Sequence, residues 1–192
     1  MDKRLNKLGL FAIILSTLLF ACGEAPVPKP RGFIRHNFPS KSYKSFKGDC
    51  AYSMDIPSYS LLKKTENPCN FILWFPKYKA EVFLSYQEID EKYSLQLLLD
   101  EMHGLTYQHQ VKASAINAKT RTIPAENKLV LEYELEGNVA TPYQFCVTDS
   151  VQHFLRGALY FRAKPNQDST KPVEQYIRQD IDRLINSLEW KD

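Results

Sequence analysis

Between Leu129 and Glu136 side chains of two kinds alternate: Leu129, Leu131, Tyr133 and Leu135 take one side, Val130, Glu132, Glu134 and Glu136 the other. A period of two is the repeat of a β-strand. It predicts a strand with one face in a core and a row of carboxylates in water. Four more segments read as strands: Phe71 to Phe75, apolar throughout as a strand covered on both faces should be, Ala80 to Tyr86, Tyr143 to Thr148 and His153 to Phe161. Ala115 to Ile123 and two brief stretches, Gly32 to Phe38 and Tyr52 to Ile56, complete the set. Glu136-Gly137-Asn138 and Thr148-Asp149-Ser150 are too short for crossover helices and carry turn residues, so the strands should run antiparallel.

Two segments change period. From Ser94 to Gln110, Leu95, Leu98, Met102, Leu105 and His109 recur at steps of three and four, with Ser94 placed to cap a helix. After the polar stretch Pro165 to Thr170, Pro172 is expected to open a last helix striped by Val173, Tyr176, Ile177, Ile181, Leu184, Ile185 and Leu188, with Arg178, Asp182 and Arg183 opposite. A striped helix must cover a sheet. The expectation is an α+β fold: one domain, mostly antiparallel β-sheet, with an amphipathic central helix and a C-terminal helix packed on it.

The first residues belong to a different logic. Lys3, Arg4 and Lys7 precede an apolar run from Leu8 to Phe20, and Leu19-Phe20-Ala21-Cys22 resembles a lipobox, with Phe20 bulkier than usual. These are the parts of a secretory signal in order. Thirteen residues of helix reach only about 20 Å, short of a bilayer core of roughly 30 Å, so a permanent span is the weaker reading. Residues 1–21 are read as a lipoprotein signal peptide and Cys22 as the lipidated residue, carrying palmitate-type acyl chains. Ala25 to Pro30 alternates prolines, an extended tether of about 3.1 Å per residue. Residues 22–31 are thus an anchor and tether, and residues 32–192 one globular domain. Gly23 lacks the aspartate that holds some lipoproteins in the inner membrane, and a periplasm-facing envelope protein is the chosen reading.

Past the signal, 22 basic residues face 21 acidic ones, which gives no reason to invoke nucleic acid. Lys41, Lys44 and Lys47 are read as a solvated loop in preference to a lipid-headgroup contact. Cys50, Cys69 and Cys146 remain for an oxidising compartment. Cys50 and Cys69 sit near strand edges and enclose 18 residues with Pro57, Pro68 and several serines, so they are paired, and Cys146 is left buried in Phe145-Cys146-Val147. Closing such a loop contributes roughly 3 kcal/mol.

No chemistry-bearing constellation stands out. Asp149, Ser150 and His153 have hydrolase side-chain types but lie within five residues and lack a strained serine turn, so they read as turn formers and a strand residue. His103 and His109 are about 240° apart around their helix, His36 is isolated, and no CxxC or HxxxH occurs. Glu132, Glu134 and Glu136 lack an acidic partner across a cleft. No catalytic residue, metal site or cofactor is expected. Arg156, with Gly157, interrupts an apolar and aromatic strand. It is read first as pairing with Asp149 or a carboxylate on a neighbouring strand, and second as a protein-interface arginine.

These segments resemble the gliding-motility lipoprotein GldD family. The likeness runs from Cys22-Gly23-Glu24 and Pro28 to Gly32, through Phe75 to Ala80 and Leu84-Ser85-Tyr86, to Glu136 to Ala140, Phe145, Val147 to Ser150, His153 to Phe161 and Leu188-Glu189-Trp190. It implies an envelope lipoprotein serving gliding and type IX secretion, with other envelope proteins of that machinery as partners and no assigned catalytic residue. The alternative is a periplasmic ligand-binding lipoprotein for a lipid, glycan or peptide, and no specific small-molecule ligand is implied.

Overall fold

The computed structural model describes residues 37–191. The signal peptide, Cys22, the tether and His36 lie outside the described residues. So does most of the strand expected at Gly32 to Phe38, whose last two residues are not strand.

Among the described residues there are ten strands and two α-helices: β1 (Tyr43–Phe46), β2 (Tyr52–Pro57), β3 (Leu61–Lys64), β4 (Phe71–Phe75), β5 (Ala80–Glu88), α1 (Leu95–Tyr107), β6 (Ala113–Ile123), β7 (Lys128–Gly137), β8 (Tyr143–Thr148), β9 (His153–Phe161), α2 (Gln167–Asn186) and β10 (Glu189–Trp190). Seven strands form one sheet in the order β3-β4-β5-β9-β8-β7-β6, and β1-β2-β10 form a second. Every pairing is antiparallel. This is the α+β, mostly antiparallel domain that the periodicity predicts. The β4-β5 hairpin and the β6 to β9 meander are separate local units, joined where Ala80 to Glu88 pair with Phe161 to His153.

Each face of the large sheet has its own core. On one, Phe71, Leu73, Val82, Leu84, Val130, Phe145, Val147, Leu155 and Leu159 pack with Ile177, Ile181, Leu184 and Ile185 of α2 and with Tyr52, Met54 and Ile56 of β2. On the other, Leu98 and Met102 of α1 cover Tyr133, Leu135, Cys146 and Phe154. α1 therefore shields only the β7, β8 and β9 portion of its face.

Three expectations need correction. First, the carboxylates of β7 are not a solvated row. Glu132 is buried and Glu134 half-buried: α2 brings compensating charge to Glu134, and the neighbouring strands supply the partners of Glu132. Glu134 accepts from Arg178 Nη1 at 2.7 Å and Lys171 Nζ at 3.1 Å, and Glu132 from Tyr143 Oη at 2.6 Å and Arg121 Nη2 at 3.3 Å. Of the three, Glu136 alone is exposed.

Second, α2 starts five residues before Pro172. Asn166 caps it, its side chain accepting from the Ser169 N–H, and Gln167 N–H donates to Asn138 Oδ1 at 3.0 Å. Proline within the second turn removes one intrahelical bond, while the cap satisfies donors upstream and sets the start.

Third, Lys41 is not a solvated loop residue, although Lys44 and Lys47 are exposed. Lys41 Nζ lies 2.8 Å from the buried Asp180 carboxylate and over the Tyr176 ring, and β1 follows at once. Among the described residues, no helix is long and apolar enough to cross a membrane.

Candidate functional site

The residues with hydrolase-like side chains are occupied structurally. Asp149 accepts backbone N–H groups from Val151, Gln152 and His153 at 2.9 to 3.0 Å, which holds its carboxyl below the usual range even though burial pushes it up. Ser150 adopts φ +67°, the left-handed conformation of the turn. His153 Nδ1 meets Tyr86 Oη at 2.7 Å and its ring stacks on Trp190. No bond joins Ser150 to His153. His103 pairs with Tyr133 Oη at 3.1 Å instead, and among the described residues no three metal-ligating side chains converge.

Cys50 and Cys69 are joined by a disulfide with Cα atoms 5.5 Å apart, and the bridge pins the segment leading to β4 beside β2. The Tyr52 hydroxyl donates to Cys69 O at 2.7 Å. Cys146 is a free, buried cysteine whose thiol burial pushes up to about 12, so it is protonated and unreactive at neutral pH.

Arg156 does not form the carboxylate pair expected of it. Asp149 is committed to its own turn, and among the described residues no acidic side chain lies within ion-pair distance. The physical reason is register. Arg156 stands opposite Ser85 on β5 and Cys146 on β8, neither of which carries a negative charge at neutral pH. Its single acceptor is Gln144 Oε1, 3.1 Å from Nη2. Arg156 Nε and Gln144 Nε2 are sealed from water with no hydrogen-bond partner among the described residues. A buried donor left so costs about 1–3 kcal/mol.

Around Arg156 the sheet face that α1 leaves bare forms two depressions. One, of about 400 Å³, is lined by Glu81, Phe83, Ser85, Arg156, Tyr160 and Arg162, among others. The second, of about 290 Å³, is lined by Asn70, Ser85, Gln87, Tyr93, Glu101 and Arg156 beside α1. Ser85 and Arg156 belong to both. Phe83 and Tyr160 pack edge to face at 5.1 Å, and Phe83 is 36% exposed. Glu81 is spoken for, receiving Arg162 Nε at 2.7 Å and Lys63 Nζ at 3.5 Å.

Gly157 serves the opposite face. A Cβ there would run into the Phe145 ring, which is fully buried, so the glycine beside Arg156 is a packing requirement of the core. Sequence reasoning finds Arg156 but misses Gln144, Phe83, Tyr160 and Glu81. Gln144 carries a legible signal, a lone amide inside the otherwise apolar run Tyr143 to Val147.

A family model described as gliding motility lipoprotein GldD matches residues 23–190. Comparison with curated proteins finds no match.

Proposed function

Because the chain belongs to the gliding motility lipoprotein GldD family, we propose that it is a non-catalytic component of the envelope machinery for gliding and the associated type IX secretion. Cys22 carries the acyl anchor, residues 22–31 form the tether, and the domain beginning at residue 32 faces the periplasm. The observation that carries this reading is the breadth of the family match, which takes in nearly all of the chain beyond the proposed anchor. The use of the polar side chains supports it. Asp149, His153, Glu132 and Glu134 are each engaged in holding turns, strands or α2, and Arg156, which has no ion-pair partner among the described residues, lines an open face.

Clean deletion should abolish both gliding and export of secretion substrates, and Cys22→Ala should reproduce that phenotype by releasing the domain from the membrane. A deletion strain that glides and secretes normally would end the proposal. Native mass spectrometry of protein purified from its own envelope addresses the ligand-binding alternative. A retained small molecule would displace the reading of a purely assembling component.

A further inference from the structure

We infer that the bare half of the sheet docks an extended segment of a partner protein, one presenting a carboxylate beside an aromatic or aliphatic side chain, with Arg156 as its anchor. The partner's place in the gliding machinery rests on the function proposed above; the chemistry of the groove does not.

Charge comes first. Glu81 already holds Arg162 and Lys63, and among the described residues no carboxylate pairs with Arg156. A guanidinium offers five N–H donors in a planar fork matched to a carboxylate. Here Gln144 Oε1 takes one bond from Nη2, Nε is turned into the sheet and sealed from water, and the half-buried side chain lines both depressions, so the outer guanidinium nitrogens are what a carboxylate can meet. Gln144 is 1% exposed and Arg156 half-buried, so the pair is held by packing before anything binds. A single unmatched guanidinium in a groove also lined by Glu81 and Glu101 suits one negative charge better than a phosphate dianion.

Shape gives the second argument. Phe83 and Tyr160 form an apolar wall on one side of Arg156, and the second depression continues past Ser85 toward Asn70 and Gln87 on the other. Arg156 thus sits at the middle of a groove rather than the end of a closed pocket. An extended peptide rising about 3.3 Å per residue can lay alternate side chains into both depressions, which a compact metabolite does not. Aromatic and arginine anchors of this kind carry much of the energy in protein interfaces.

The test uses the mature lipidated protein in detergent, with N-acetyl-L-phenylalanine and its amide as probes that differ only in the carboxylate. NMR of the Arg156 guanidinium N–H groups and of the Gln144 side-chain amide bonded to Nη2 should show saturable shifts with the acid, and at least tenfold weaker binding of the amide. Arg156→Met should erase the preference for the acid. Arg156→Lys keeps the charge without the fork and should weaken acid binding severalfold; it serves if the methionine variant does not fold. Equal binding of acid and amide, no shift at either group, or tighter binding of inorganic phosphate than of the acid would each overturn the assignment. A strain that glides without the protein would remove the proposed role while leaving this result standing.

Discussion

Lys128 Nζ donates to the backbone carbonyl of Ile185 at 2.9 Å, from a side chain only 1% exposed. The same ammonium reaches Leu188 O at 2.8 Å and Asn186 O at 3.3 Å, and pairs with the Glu126 carboxylate. The last carbonyls of an α-helix have no partners within it, and the dipole concentrates negative charge there. A strand lysine thus caps α2 from below and fixes it to the sheet.

Lys128→Met should therefore cost about 3 kcal/mol or more, because it strands several buried carbonyls while leaving the apolar stem in place. Glu126→Gln, at a carboxylate 45% exposed, should cost under about 1 kcal/mol. Urea unfolding of both variants checks the contrast, and comparable small losses would mean the cap contributes little.

The seam between β7 and α2 predicts a pH dependence. Burial alone would push Glu134 upward, but Lys171 and Arg178 outweigh it and hold the carboxyl below its ordinary value. A depressed carboxyl gives stability that is present above its unfolded value of about 4.3 and lost as pH falls through the folded one. Neighbouring Glu174 is opposite in sign, raised by burial, so its contribution is present at low pH and lost as pH rises through its folded value. Glu134→Gln should lower stability by about 1 kcal/mol at pH 7 and by progressively less below pH 4. An equal deficit at pH 3 and pH 7 would show that the lost interaction is not the ionised one.

The disulfide closes a loop of 19 residues' separation that contains β2 and β3. The Cys50→Ala/Cys69→Ala double variant should lose about 3 kcal/mol by chain entropy. β3 is a sheet-edge strand paired only with β4, and should show the earliest gain in amide exchange. Unchanged exchange at Leu62 and Lys63 would place the effect elsewhere.

How much of this could be read from residues depends on what each pattern encodes. The alternation in β7 announces a strand but not what covers it. Glu134 looks solvated until α2, more than thirty residues later, supplies Arg178 and Lys171, and Glu132 until Arg121 and Tyr143 on the flanking strands close on it. β1, β3 and β10 escape notice because four residues or fewer carry too little period, and pairing with β2 or β4 defines them. Pro172 misleads because proline is a common helix opener, whereas Asn166 makes a better cap. Arg156 is conspicuous in an apolar strand, but register decides its neighbours, and one strand alone does not encode register.

That register predicts how Arg156 acts at a distance. His109, half-buried in the turn after α1, is held below its ordinary value by burial first and by the Arg156 charge second. Because the guanidinium has no carboxylate partner, little local counter-charge offsets its field. Arg156→Met should raise the His109 pKa only part of the way to about 6.5, since burial remains. A depressed histidine contributes stability that is present above the unfolded value and lost as pH falls through the folded one. The variant should accordingly lose less stability than the parent between pH 7 and pH 5. NMR titration of the His109 ring reads the first effect and urea midpoints the second. A His109 curve that does not move would show that some counter-charge already neutralises Arg156, and the case for an open anion site would fall with it.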